Sequence, residues 1–294
     1  MTRSPAGKRP RVLVFDSGLG GLTVLEPIRR LRPDLDVLYA ADDAAFPYGG
    51  WGEGELVARV VAVMGELIAV FSPDLVVVAC NTASTLVLAP LRAAWPALPF
   101  VGTVPAVKPA AEASASRLVS VLATPGTVAR DYTKALVRDF AGNCEVALIG
   151  SPRLAGLAER RLHGEPFEAA EIAREIAPCF VQRDGRRTDK IVLACTHFPL
   201  LTDLFAAAAP WPIDFIDPAP AIARRVDALL GPMQAPPALS SLAPAVFTSG
   251  RAASDALRKA LRRYGLTFSS LDECAASSMN VRSAPHRGSD RQAP

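Results

Sequence analysis

Short apolar runs alternate along this chain with segments whose apolar residues recur at helical spacing. Runs at 12–15, 37–40, 75–79, 100–102, 118–123, 145–149, 191–194, 213–216 and 246–248 have the length and composition of buried strands. Between two of them, 55–71 sets Leu56, Val60, Val63, Leu67 and Val70 near one stripe, as a helix lying on a sheet would. Strands alternating with helices predict an α/β fold with mostly parallel sheets, because parallel neighbours need a crossover connection. Pro27 and Pro90 fall inside segments of helical period. Proline removes a backbone donor and crowds the preceding turn, so these helices are expected to start late or kink.

A weak internal repeat overlies this alternation. Val76-Val77-Val78-Ala79-Cys80-Asn81-Thr82 and Ile191-Val192-Leu193-Ala194-Cys195-Thr196-His197 share an apolar strand, then Ala-Cys, then two polar residues able to open a helix. The run ending Phe15-Asp16-Ser17-Gly18 can be laid beside Ala123-Thr124-Pro125-Gly126, which sets Ser17 opposite Thr124 and leaves Asp16 without an acidic counterpart. In open α/β sheets ligands sit beyond the carboxyl ends of the strands. Two such units facing each other would aim both cysteines into one cleft.

Paired thiols at mirrored positions suit a two-base racemase, which removes an α-proton from one face of its substrate and returns a proton to the other. A helix N-terminus lowers a thiol's pKa, so each cysteine is expected to be reactive at its strand end. Asp16 is placed to serve Cys80 or a substrate ammonium, and His197 to supply protons or charge beside Cys195. Gly18-Leu19-Gly20-Gly21 could bind a substrate carboxylate through its N–H groups. It lacks the last glycine of a dinucleotide fingerprint and the lysine of a P-loop.

Composition narrows the class. Half of the 294 residues are apolar, the net charge is +3, and short basic groups such as Arg160-Arg161 are scattered rather than clustered, so no nucleic-acid partner is indicated. Every apolar stretch is too short for a membrane span, and the run at 12–15 meets Asp16 at once, unlike a signal-peptide core; the cytoplasm is the expected compartment. Five cysteines without a C-x-x-C pair argue against a disulfide framework or a zinc ribbon. Cys144 and Cys179 read as packing residues, and Cys274 falls in a small-residue, polar tail, 273–294, expected to be poorly ordered.

At its motifs the chain resembles the glutamate racemases of the aspartate/glutamate racemase family over about residues 11–265. The likeness lies in Phe15-Asp16-Ser17-Gly18-Leu19-Gly20-Gly21-Leu22, Phe46-Pro47-Tyr48-Gly49, Ala79-Cys80-Asn81-Thr82-Ala83 and Ala194-Cys195-Thr196-His197-Phe198-Pro199-Leu200-Leu201. It implies two flavodoxin-like lobes, one from 1–103 with 210–272 and one from 104–209, with the active site in the cleft between them. Cys80 and Cys195 would be the bases, and Asp16, Ser17, Tyr48, Gly49, Asn81, Thr82, Thr196 and His197 the substrate pocket. Glu159 would be a supporting acid, and Thr124 and Thr127 would line the cleft. No cofactor and no metal is implied. The reaction would interconvert L- and D-glutamate, and D-glutamate would feed peptidoglycan synthesis. A homodimer is left open. Asp42-Asp43-Ala44-Ala45 departs from the commoner Asp-Thr-Ala-Arg, which removes any role resting on that Thr or Arg. The segment 102–109 is similar to that of a subgroup with members that respond to a peptidoglycan precursor, which leaves activation by such a precursor open here. Competing readings are a related racemase or decarboxylase of the same fold, a cysteine hydrolase using Cys195 with His197, and a binding protein that retains the cleft.

Overall fold

The fold comes from a computed structural model, and its description covers residues 9–233, 235–236 and 242–274. In chain order the strands are β1 (Arg11–Asp16), β2 (Asp36–Ala41), β3 (Leu75–Val78), β4 (Phe100–Gly102), β5 (Leu118–Ala123) and β6 (Glu145–Gly150). They continue with β7 (Gln182–Arg183), β8 (Arg186–Arg187), β9 (Lys190–Ala194), β10 (Asp214–Ile216), β11 (Ala243–Phe247) and β12 (Leu266–Phe268). A six-stranded sheet has the order β12-β11-β2-β1-β3-β4, and a four-stranded sheet the order β10-β9-β5-β6. All pairs in both are parallel. The mixed α/β class with mostly parallel sheets is therefore as the alternation of runs requires.

Read from the strand before the centre, β2-β1-β3-β4 matches β6-β5-β9-β10, so the four shared strands of the two sheets follow one plan. The central strands β1, β2, β3, β5 and β9 are buried on both faces, which is why their runs are continuously apolar rather than alternating. In β1, Val12 and Val14 join one core while Leu13 and Phe15 join the core on the opposite face. The helix Glu53–Phe71 covers that second face with Leu56, Val60, Val63, Met64, Leu67 and Phe71. Val70, placed in the stripe by spacing, is only half-buried, and Phe71 takes the last core position. Glu53 and Glu55 in the first turn complement the helix dipole.

Several expectations are corrected. Pro27 and Pro90 sit inside continuous helices, Leu22–Leu31 and Asn81–Ala94, rather than delaying their start. The expected strand at 246–248 is β11, displaced toward the N-terminus; Pro244 is paired only with Thr267 of β12, while the pairing with β2 begins at Ala245. The return to the first sheet also falls later than residue 210. β10 pairs with β9, and only from Ala219 onward does the chain rejoin the first core. Cys274 is not part of a loose tail: it is buried against the core under the helix Glu53–Phe71. The rest of the tail, 275–294, lies outside the described residues. Cys179 is buried in the core of the second sheet and Cys144 packs at the edge of its other face. Among the described residues no helix is long and apolar enough to cross a membrane.

Candidate active site

Register sets the site. Phe15 pairs with Val78 and Ala123 with Ala194. Two residues beyond the first pair, Ser17 stands level with Cys80; one residue beyond the second, Thr124 stands level with Cys195. The two sheets thus present a hydroxyl and a thiol at equivalent strand ends. Both thiols line one cavity, with Ser17, Tyr48, Gly49, Asn81, Thr82, Thr124, Thr196 and His197 around it. Phe46, Pro47 and Ala155 complete its wall. Cys80 and Cys195 are 5 % and 7 % exposed, so what chemistry they do is done out of bulk water.

The two sulfurs have unlike surroundings. Cys80 caps the helix Asn81–Ala94, and its Sγ lies 3.8 Å from Ser17 Oγ. Asp16 does not reach the cavity. It is fully buried behind Ser17, and its carboxylate accepts the N–H groups of Ser17 and Gly21, both at 2.7 Å. Burial pushes the Asp16 carboxyl up, against the charge of His197 and those two N–H groups. The expectation of an acidified thiol fails at Cys80. Desolvation pushes its pKa far up, and the neighbouring Asp16 adds to the shift, while bonds from Ala83 N–H and Ser17 oppose it without prevailing.

Cys195 faces a histidine instead of a helix end. Thr196 and His197 lead into a short 3₁₀ turn, Phe198–Leu201, so no α-helix N-terminus points at this sulfur. Its Sγ is 3.9 Å from His197 Nδ1, and His197 Nε2 is 2.6 Å from Glu159 Oε1. Gly20 N–H also points at Nε2, at 3.1 Å. A protonated Nε2 donates to the carboxylate and a bare one can accept from Gly20, so the nitrogen is met in either state. Burial works against charge on His197, but hydrogen bonds to Cys195 and Glu159 and the charges of Glu159 and Asp16 outweigh it, holding the ring well above the usual histidine pKa. Glu159 lies behind His197 rather than on the cavity wall, and its Oε1 also accepts Leu19 N–H at 2.6 Å.

Most of the N–H groups of the glycine-rich loop are thus engaged within the protein. The N–H groups of Ser17 and Gly21 go to Asp16, that of Leu19 to Glu159 and that of Gly20 to His197. An unpartnered polar side chain lies elsewhere on the cavity. Both amide atoms of Asn81 are buried without a hydrogen-bond partner at the edge of the cavity, the condition of a side chain built for a ligand. Thr82, Thr124 and Thr127 form a triangle of hydroxyls with sides of 3.2, 3.2 and 3.0 Å, joining the two lobes.

One contributor escaped sequence reasoning. Asp42 is fully buried and accepts from Tyr48 Oη at 2.6 Å, from Arg59 Nη2 at 2.7 Å and from Thr248 Oγ1 at 2.5 Å, which fixes Tyr48 against the cavity. Burial alone would raise its pKa, but these donors carry it below the usual aspartate value. The adjacent Asp43 binds Ser249 through both backbone and hydroxyl, so the departure at this loop leaves its own anchor. The only signal in the sequence was the acidic pair itself.

Two parallel sheets bring two thiols to one cleft, and comparison with known proteins gives the class: the chain belongs to the Asp/Glu/hydantoin racemase family, whose model matches residues 29–226. Within that family its relatives are glutamate racemases. It is 52 % identical over 265 residues to that of Brucella anthropi, covering 90 % of this chain and 95 % of the relative. With the glutamate racemase of Sinorhizobium fredii the identity is 53 % over 259 residues, covering 88 % and 97 %. The crystal structure of Escherichia coli glutamate racemase, in complex with L-glutamate and the activator UDP-MurNAc-Ala, superposes with a TM-score of 0.81 at 42 % identity, covering 90 % of this chain and 98 % of that one. The chain is an amino-acid racemase of the glutamate racemase group, an isomerase.

Proposed function

We propose that this racemase interconverts L- and D-glutamate with Cys80 and Cys195 as its two bases. The observation that carries the reading is the placement of both buried thiols, one from each lobe, on the same cavity. Cys80 thiolate takes the α-proton of D-glutamate while the Cys195 thiol gives a proton to the opposite face, and the roles reverse for L-glutamate. An α-proton of an amino acid is far less acidic than a thiol, so the barrier has to fall through desolvation and through donors around the substrate carboxylates. Asn81, with its unpartnered amide, and the threonine hydroxyls are the groups suited to that task. The raised pKa of Cys80 makes its thiolate scarce but strongly basic.

His197, held by Glu159, supports Cys195 with positive charge, and Asp16 acts on Cys80 through Ser17. The D-glutamate formed would supply peptidoglycan synthesis in the cytoplasm. The Escherichia coli relative was crystallised with the activator UDP-MurNAc-Ala, and activation by that molecule is proposed here by analogy. Rates with and without UDP-MurNAc-Ala test it. Substrate identity is tested by deuterium incorporation at Cα in D₂O: glutamate should exchange and racemise, and an aspartate rate equal to or above the glutamate rate would refute glutamate as the substrate.

A further inference from the structure

The glycine loop packs against side chains of the opposite lobe. Gly18 and Gly20 belong to the first lobe, yet Glu159 and His197, which lie on them, belong to the second; Phe46 of the first lobe also lies on Gly18, its Cδ2 3.1 Å from a Cβ there. A Cβ on Gly20 would stand 2.7 Å from both Cγ and Cε1 of the His197 ring. One on Gly18 would stand 3.2 Å from the Glu159 carboxyl carbon, and nearer still to its Oε1. Real Cβ atoms do not approach so closely, so either methyl group would displace the side chain above it. His197 has little room to yield. It is 2 % exposed, and Phe46 flanks its ring at a centroid distance of 5.4 Å.

The partners of the two sulfurs are distributed unequally. Ser17 and Asp16 come from the same lobe as Cys80, so that set survives a parting of the lobes. The Cys195 set is complete only across the cleft, where Leu19 N–H holds Glu159 and Gly20 N–H faces His197. We infer that Gly18 and Gly20 are positioning residues for the Cys195 half of the reaction: their missing side chains let the closing lobes seat Glu159 and His197 in register behind that thiol. The inference rests on the two-thiol reading above and adds to it a side-selective role for the loop.

Single-base reporters can separate the halves. With 3-chloro-glutamate, a thiolate takes the α-proton, the C–H electron pair becomes the Cα=Cβ bond, and chloride leaves; the enamine hydrolyses to 2-oxoglutarate and ammonium, and the thiol returns its proton to solvent. The D-configured reporter reads Cys80 and the L-configured one reads Cys195. This assignment is checked first with Cys80→Ser, which should lose the D signal, and Cys195→Ser, which should lose the L signal; failure there refutes the two-thiol reading rather than the role of the loop. In Gly20→Ala, chloride release from the L reporter should fall about 100-fold, the cost of an ångström-scale misplacement, while release from the D reporter stays within a few-fold of the parent. If Gly20→Ala does not yield folded protein, Gly18→Ala, whose methyl meets the flexible end of Glu159, decides by the same comparison. Equal losses with both reporters, or a greater loss with the D reporter, would overturn the inference.

Discussion

Cys80 and Cys195 occupy matching strand ends, yet one is backed by a buried carboxyl and the other by an imidazole. The pairing and the hydroxyl beside each were legible, because strand, Ala-Cys and polar follower recur in the sequence. The sign of the effect at Cys80 was not. Position at a helix N-terminus argues for a lowered pKa, but desolvation and Asp16, sixty-four positions earlier in the chain, outweigh it. Cys80 is thus expected to be a thiol at neutral pH. Thiolate absorbance at 240 nm should be the same in the parent and in Cys80→Ser between pH 7 and about 9, the difference appearing only in strongly alkaline solution. A thiolate lost from Cys80→Ser near pH 7 would contradict this electrostatic account. Asp16 and Glu159 were anticipated as site acids, and each stands one residue back from the cavity, Asp16 behind Ser17 and Glu159 behind His197.

At the scale of elements, the long apolar runs marked the central strands because burial on both faces leaves no other pattern. The hairpin of β7 and β8 was missed: its turn, Asp184-Gly185, is a usual hairpin signal, but the flanks are charged and exposed. β12 has only Leu266 fully buried and carries no continuous apolar run to mark it. The two prolines misled because local propensity was weighed without packing. Proline costs a helix about 3 kcal/mol, whereas Val24, Leu25 and Ile28 around Pro27 are fully buried, each contributing roughly 1.5–3 kcal/mol. Asp42 joins four segments, through its own strand end, Tyr48, Arg59 and Thr248, and none of these partners is close enough in sequence to announce the others. Read from urea unfolding, Asp42→Ala should cost about 1–3 kcal/mol, because it strands the buried Tyr48 hydroxyl while Arg59, partly exposed, turns to solvent. Because the folded pKa of Asp42 is depressed, its contribution is present above the ordinary carboxyl value of 3.8 and fades as pH falls below it. The parent's advantage over Asp42→Ala should therefore shrink in acid, and an advantage independent of pH would contradict the ion-pair assignment.

The molecule as a whole repeats one four-strand plan in two sheets, and this was the most valuable thing the sequence held, since a repeat of strand-hydroxyl and strand-cysteine already places two thiols face to face. What it did not hold was how the lobes meet. The cavity that both thiols line holds about 20 Å³, room for about one water, and the lobes are expected to separate to admit an amino acid. Leu19 and Gly20 N–H, bonded across the cleft, should then exchange with solvent far faster than Ala79 N–H, bonded to Phe15 within the sheet at 2.7 Å. Saturating glutamate should slow the first two and leave the third alone; equal protection of all three without substrate would rule out such opening. The claim on which the account turns is that two thiols share one reaction, and circular dichroism tests it most directly. The parent protein should racemise D- and L-glutamate without added cofactor, and Cys80→Ser and Cys195→Ser should each abolish racemisation in both directions, whereas full activity in either variant would contradict it.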